Sequence, residues 1–425
     1  MHSFRFIHTA DIHLDSPMRG LSDDVPGVAE RLRLATREAL TALIDTAIER
    51  KVDLVVIAGD LYDGDWRDYQ TGVFFVRQMH RLAAAAIPVY LIHGNHDAQN
   101  QMTRSLSLPD NVHVFSHEAA ETKIIDGLDV ALHGTSYAER AVTDNLVPGY
   151  PAPIAGAFNI GVLHTGLGGR GGHANYAPCS LDELTAKGYD YWALGHVHGA
   201  EVLAEHPHVV FSGNLQGRSI RETGAKSAYE VVVEDGRVAE LRPIYCDVAR
   251  WAESGVDVSA ADDFNDVIAA MRLAIETGAD AVDGRLLAIR LRLTGTTALH
   301  DSLAAAPERL LAEARAAASG LSSTPVYVEK VKQATEPELD ATTRRERQDA
   351  LGEMQRLLDE ATNDPDIRAM IEKDIRRLAE RLPHEIREHA DDALLRAAID
   401  GDTATLIDGA GDYLLSRLAA DESAP

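Results

Sequence analysis

Cysteine is nearly absent: among 425 residues only Cys179 and Cys246 occur. That excludes a disulfide framework and a thiolate metal cluster. Long apolar runs are missing too. No stretch approaches the roughly 18 residues a membrane span needs, and Phe4–Ile7 is too short for the core of a secretion signal. A cytoplasmic protein with no membrane contact is expected. Positive charge is also scarce, with 41 Lys and Arg against 67 Asp and Glu and a formal net charge of −26. About −15 of that lies in residues 251–425. Such a balance argues against a general nucleic-acid binder, which would show a basic face. It leaves room for local basic patches, a positively charged partner subunit, or metal ions that neutralise clustered acids. The 45% apolar and 25% charged residues are ordinary globular values, and the length suits two or three domains.

What the chain does have is five short polar motifs, each closing an apolar, strand-like segment. Asp11-Ile12-His13 follows Phe4–Ile7, and Gly59-Asp60-Leu61-Tyr62-Asp63 follows Leu54–Ile57. Gly94-Asn95-His96-Asp97 follows Val89–Ile92, His164 follows Ile160–Leu163, and Gly195-His196-Val197-His198 follows Tyr191–Leu194. Loops at the carboxyl ends of parallel strands converge, so these residues are expected to meet. Each motif alone has an ordinary reading: a turn, a capped helix start, a satisfied core histidine. Five in series, all after strands, favour a shared site. Imidazole, carboxylate and one amide without thiolate suit manganese, iron or zinc. Two such ions about 3.5–4 Å apart activate water and clamp a phosphate. A carboxylate is the natural bridge between two cations, and Asp60 is the candidate.

The surrounding pattern is α/β. Residues 1–200 alternate strands and helices, with Leu40, Leu43, Ile44, Ala47 and Ile48 at helical spacing and another helix near 70–86 closed by Pro88. A hairpin is expected over 122–133, turning at Asp126-Gly127, and further strands at 209–212 and 229–245. Near Trp251 the composition changes. Helix at 261–277, strand at 286–293, helix at 298–317 and strand at 325–331 read as a small α/β module. Beyond Glu338 the chain reads as helical. Asp364-Pro365 is a strong helix start, followed by an apolar stripe of Ile367, Met370, Ile371, Ile375 and Leu378. Leu406–Leu418 is a weaker helix.

The motif series resembles the calcineurin-like metallophosphoesterases, and more narrowly the Mre11/SbcD DNA-repair nucleases with their YhaO-like bacterial branch. The narrower likeness rests on His8-Thr9-Ala10-Asp11-Ile12-His13-Leu14, on Gly59–Asp63, on Gly213-Asn214-Leu215-Gln216-Gly217-Arg218 and on 220–226. It covers about the first 245 residues. It implies a two-sheet sandwich flanked by helices (1–249), a small α/β capping domain (250–337) and a helical C-terminal region (338–425). It also implies one ion held by Asp11, His13, Asp60 and His198, and a second held by Asp60, Asn95, His164 and His196. In this scheme His96 donates a proton to the leaving oxygen or stabilises the transition state, and Asp97 orients His96. Manganese is the expected metal, with iron or zinc as alternatives.

Arg218, Arg221 and Lys226 are candidates for DNA backbone phosphates, against an even chance that they pair with Glu222 and nearby acids. His8 and His93 read as packing or supporting residues, while Asp15, Asp63, His133 and His173 read as structural or solvated. Gly166–Gly172, with Arg170, resembles a flap; Trp66 and Tyr69 could touch bases but more ordinarily pack. The resemblance further implies a homodimer and a Rad50/SbcC-like SMC ATPase docked on the C-terminal helices, though the apolar stripe there could equally pack on the cap. The expected activity is metal-dependent DNA exonuclease or endonuclease action. A small-molecule phosphoesterase, favoured by the acidity, and an adaptor subunit of an ATPase complex are the rivals.

Overall fold

The computed structural model describes residues 3–16, 27–63, 69–98, 107–125, 127–170, 174–321, 324–338, 350–382, 393–407, 410, 411 and 414. Trp66, Asp126, His173 and most of 406–418 lie outside the described residues. The chain divides into two compact units. One comprises 1–252 with 279–288 and 323–329; the other comprises 253–278, 289–322 and 330–425.

The first unit holds two six-stranded mixed sheets. Sheet one is built from β1 (Phe4–Thr9), β2 (Leu54–Ala58), β3 (Val89–Ile92), β4 (Val112–Val114), β11 (Ala228–Glu234) and β12 (Arg237–Ile244), in the order β12-β11-β1-β2-β3-β4. Sheet two is built from β5 (Glu121–Ile125), β6 (Val130–Gly134), β7 (Phe158–His164), β8 (Tyr191–Gly195), β9 (Glu201–Glu205) and β10 (His208–Phe211), in the order β5-β6-β7-β8-β10-β9. In sheet one β1, β2, β3 and β4 run parallel, as do β6, β7, β8 and β10 in sheet two. The hairpin β5–β6 is antiparallel, as expected.

Strand pleating explains the layering. Along β2, Leu54, Val56 and Ala58 face the other sheet and pack with Phe6, Ile92, Phe158, Ile160, Val162 and Tyr191. The alternate residues Val55 and Ile57 face outward, against Leu40, Leu43 and Ile44 of α1 (Val28–Arg50) and Phe75 and Met79 of α2 (Tyr69–Ala84). On the far side of sheet two, Trp192, Leu194 and Phe211 pack with Tyr150 and with Leu184 of α4 (Leu181–Ala186). Strands buried on both faces read as continuous apolar runs, and these do. Helix α1 begins at Val28, well before the apolar repeat that announced it. Its first turns bury Leu32, Ala35 and Thr36, which are too few and too small to dominate the sequence pattern.

A third, three-stranded sheet has the order β13 (Ala249–Asp257), β14 (Leu286–Thr297), β15 (Val326–Pro337). Helix α5 (Phe264–Asp280) follows β13. The helix expected over 298–317 is two, His300–Ala304 and Pro307–Ser319, because Pro307 starts a new helix at its first position. Among the described C-terminal residues, helix Pro365–Ala379 packs against both Ala350–Asn363 and Ala393–Asp400. Asp364 caps the second, accepting from the Asp366 and Ile367 amides. Of its apolar stripe, Ile367, Ile371 and Ile375 are half-buried, while Met370 and Leu378 are exposed. No helix among the described residues is long and apolar enough to cross a membrane.

Candidate metal centre

The parallel strands β1, β2, β3, β7 and β8 end at the same rim, and the five motifs meet there. The loops are stitched together by backbone hydrogen bonds: Asp11 N to Gly59 O at 3.0 Å, His13 N to Asp60 O at 3.1 Å, and Thr165 N to Gly195 O at 3.1 Å. Two motif glycines are demanded by close approach. A Cβ on Gly94 would overlap Asp60 Oδ1, and one on Gly195 would overlap the Ala58 carbonyl. Asp11, His13, Asp60 and His196 all take positive φ, between 44° and 98°. Such conformations cost on the order of 1–3 kcal/mol each and concentrate at functional sites.

All seven expected ligands are buried or nearly so, and their donor atoms converge in two groups sharing Asp60. In the first, His13 Nε2 faces His198 Nε2 at 3.2 Å, with Asp60 Oδ2 at 3.9 Å from His13 and Asp11 Oδ1 at 4.0 Å from His198. In the second, His164 Nε2 lies 3.0 Å from Asn95 Oδ1 and 3.4 Å from Asp60 Oδ2, and His196 Nδ1 lies 3.2 Å from Asn95 Oδ1. A divalent ion bound at about 2.0–2.2 Å spaces neighbouring donors about 3.0–3.5 Å apart, so the donor set fits two ions.

Hydrogen bonds on the opposite ring nitrogens fix which imidazole nitrogen faces inward. His164 Nδ1 donates to the Ala58 carbonyl at 2.9 Å, and His196 Nε2 to the Ala174 carbonyl at 2.8 Å. His198 Nδ1 donates to Glu222 Oε1 at 2.7 Å. Each leaves the other nitrogen's lone pair for a cation, the usual support for a histidine ligand.

The electrostatics agree. Burial alone would raise the Asp60 carboxyl, but the imidazoles of His164 and His96 outweigh it and hold Asp60 well below the usual carboxylate range. His164 moves the other way: burial opposes its protonation, yet Asp60 raises it to about 9. A divalent ion would displace that shared proton. Burial pushes Asp11 up to about 6, and burial with the Arg218 charge holds His13 well below its ordinary value.

His96 lies at the rim of the first group, its ring 5.0 Å from that of His13. Its partner corrects the sequence-based expectation. Asp63, not Asp97, pairs with His96, with Oδ1 2.9 Å from Nδ1. Asp97 is buried and accepts the amides of Leu61 at 3.1 Å, Tyr62 at 2.9 Å and Gly94 at 3.1 Å. It clamps the Asp60 loop to the Asn95 loop. Asp63, read as structural or solvated, therefore belongs to the site; the Gly-Asp-x-x-Asp spacing was its only sequence signal.

Of the candidate phosphate contacts, Arg218 reaches the site but is engaged internally, with Glu222 Oε1 at 3.0 Å and Asp63 Oδ2 at 3.5 Å. Lys226 is buried beside the charges of Glu222 and Asp247. For Arg218, the internal pairing weighed as the alternative is what forms. Arg221 is exposed. His8 is buried and bonded to the Tyr191 hydroxyl and the Leu194 carbonyl, and His133 to Thr122 and Asn159, so both are structural. Asp15 pairs with Arg37 and accepts from the Thr71 hydroxyl. Within the expected flap, Gly166 N donates to Tyr176 O at 2.8 Å and Arg170 pairs with Glu201. Tyr69 is exposed at the start of α2.

Comparison with known proteins agrees with this centre. Residues 4–200 match the calcineurin-like phosphoesterase family, and residues 251–336 match the middle domain of metallophosphoesterase YhaO. The chain thus carries a calcineurin-like phosphoesterase domain and a YhaO-type middle domain. The chain is 40% identical over 260 residues to the uncharacterized metallophosphoesterase YhaO of Bacillus subtilis, covering 60% of this chain and 64% of that protein. It is 25% identical over 208 residues to the DNA double-strand break repair protein Mre11 of Sulfurisphaera tokodaii, covering 48% of this chain and 51% of that protein. The alignments thus span less than two thirds of either relative. A dimetal phosphatase from Danio rerio is similar at 13% identity and a TM-score of 0.34, covering 57% of this chain and 99% of that one. The His/Asp cluster is a dimetal site typical of the calcineurin-like phosphoesterases.

Proposed function

We propose that this metallophosphoesterase is a manganese-dependent DNA phosphodiesterase, an exonuclease or endonuclease of DNA repair or end processing. The observation that carries the reading is the convergence of Asp11, His13, Asp60, Asn95, His164, His196 and His198, with His96 beside His13 and paired to Asp63. The similarity to an Mre11 protein supports DNA as the substrate. Two divalent ions, held by Asp11, His13, Asp60 and His198 and by Asp60, Asn95, His164 and His196, supply an activated water and charge neutralisation on the phosphate. His96 contributes what such ions do not, a proton for the departing sugar oxygen. Burial would lower its affinity for that proton, but Asp60 and Asp63 raise it above the ordinary histidine value. Asp63 also fixes the ring so that Nε2 is the nitrogen left to face the substrate.

The acidity of the chain favours a second reading, a phosphoesterase acting on a small substrate such as a cyclic nucleotide or phosphomonoester. Partners belong to the proposal as well: a homodimer, and an SMC-like ATPase of the Rad50/SbcC type docked through residues 338–425, which carry helices with exposed Met370 and Leu378. An adaptor role within such a complex would appear as weak activity alone that rises with the ATPase. The deciding assay is cleavage of end-labelled single- and double-stranded DNA with manganese, magnesium or chelator, beside hydrolysis of bis-nitrophenyl phosphate. Manganese-dependent DNA cleavage lost in His96→Ala establishes the nuclease. Hydrolysis of the small diester without DNA cleavage moves the assignment to the small-substrate reading. Co-purification with the ATPase that survives deletion of 338–425 would sink the docking assignment.

A further inference from the structure

A continuous set of half-buried charged groups links the metal ligand His198 to His96. Glu222 accepts on both carboxylate oxygens. Oε1 takes His198 Nδ1 at 2.7 Å and Arg218 Nη2 at 3.0 Å, while Oε2 takes the Arg218 amide at 2.7 Å and Asn214 Nδ2 at 3.0 Å. Arg218 continues the chain, with Nη1 3.1 Å from Ser16 Oγ and 3.5 Å from Asp63 Oδ2. Ser16 Oγ donates to that same oxygen at 2.5 Å, and Asp63 Oδ1 holds His96. Arg218 Nε is buried with no hydrogen-bond partner among the described residues.

A guanidinium beside two divalent ions is electrostatically adverse unless anions flank it, and here Asp63 and Glu222 do. We propose that Glu222 is a positioning residue for the metal ligand His198, and that Arg218 locks Glu222 to Asp63, tying the ligand's placement to that of His96. This rests on the dimetal site and not on DNA as substrate. It assigns Arg218 to orientation within the site and not to a substrate phosphate.

The reach of the arrangement follows from its bonds. With Glu222 present, the His198 proton sits on Nδ1 and the Nε2 lone pair faces the ion. Without it, the ring is free to carry the proton on either nitrogen and to rotate. Supporting groups of this kind are typically worth 10–100-fold in metal affinity.

The test is calorimetric titration of manganese into the full-length wild type, Glu222→Ala and Glu222→Gln. Nitrogen-15 NMR on metal-stripped wild type reports which ring nitrogen of His198 is protonated. Expected are an Nδ1 proton, one of two manganese sites weakened about 10–100-fold in the alanine variant, and a smaller loss of about 3–10-fold in glutamine, which keeps an acceptor without the charge. Affinities within twofold of wild type in both variants, or an Nε2 proton on His198, would overturn the proposal. If the alanine protein does not fold, the glutamine titration and the wild-type spectrum decide alone. For the Arg218 link, Arg218→Met should lower kcat on bis-nitrophenyl phosphate about tenfold with KM little changed, the lower end of the same range. A raised KM at unchanged kcat would make Arg218 a substrate contact instead. Because neither arm uses DNA, failure here is separable from failure of the nuclease assignment.

Discussion

The two metal groups are supported differently. In the second, His164 and His196 are aimed by main-chain carbonyls, those of Ala58 and Ala174. In the first, His198 is aimed by the side chain of Glu222, and His13 Nδ1 is buried with no hydrogen-bond partner among the described residues. A main-chain acceptor moves only when the fold moves, whereas a side-chain acceptor can be removed by one substitution. The second group should therefore resist point changes around it, and the first should be tunable. Asp60 is common to both.

The largest expected effect erases the contrast. Asp60→Ala should abolish binding of both ions, with hydrolysis of bis-nitrophenyl phosphate down by more than the roughly 100-fold of a supporting residue. Full manganese occupancy in that protein, measured by elemental analysis, would refute its place between the groups. His96→Ala should leave both ions bound and reduce turnover about 100- to 10,000-fold, the range for general acid catalysis, with metal stoichiometry as the control.

Comparing His13→Ala with His164→Ala sharpens the distinction between groups. Each should drop manganese from two ions to one, and retention of two in either would dissolve the grouping. Smaller still is Gly166→Ala. A Cβ there would lie 2.6 Å from the Ala174 carbonyl that holds His196. Displacing that carbonyl should weaken one manganese site about tenfold, within the range for supporting groups, as read by titration. The smallest effect is Tyr137→Phe, which removes a hydroxyl bonded to the His164 carbonyl at 2.6 Å. It should cost about 1 kcal/mol in denaturant unfolding and leave metal affinity intact, because Ala58 still orients the ring.

Much of this centre is legible in the sequence because each ligand sits directly after a strand, and strand ends of a parallel sheet must converge. The glycines preceding Asp60, Asn95 and His196 strengthen the signal, since all three mark close approach of a neighbouring loop or side chain. What is not legible depends on long-range contact. Glu222 lies 24 residues beyond His198 and Asp63 lies 33 before His96, in loops whose mutual approach no local pattern announces. The expected pairing of His96 with Asp97 failed for a local reason. Both lie on the helical turn Asn95–Ala98, where consecutive side chains diverge and do not face each other. The early start of α1 and the break at Pro307 are likewise matters of small buried residues and one imino acid, invisible to a count of large apolar positions.

The positive φ values of Asp11, His13, Asp60 and His196 carry a further consequence. A residue held in a left-handed conformation stores free energy that glycine at the same position would release, so catalytic competence and fold stability pull against each other here. Glycine at His196, where φ is 98°, removes a ligand and a distortion together. An inactive protein that melts above the active one in chelator is the expected signature. Selection for thermal tolerance alone would thus tend to extinguish the chemistry at the very rim that performs it.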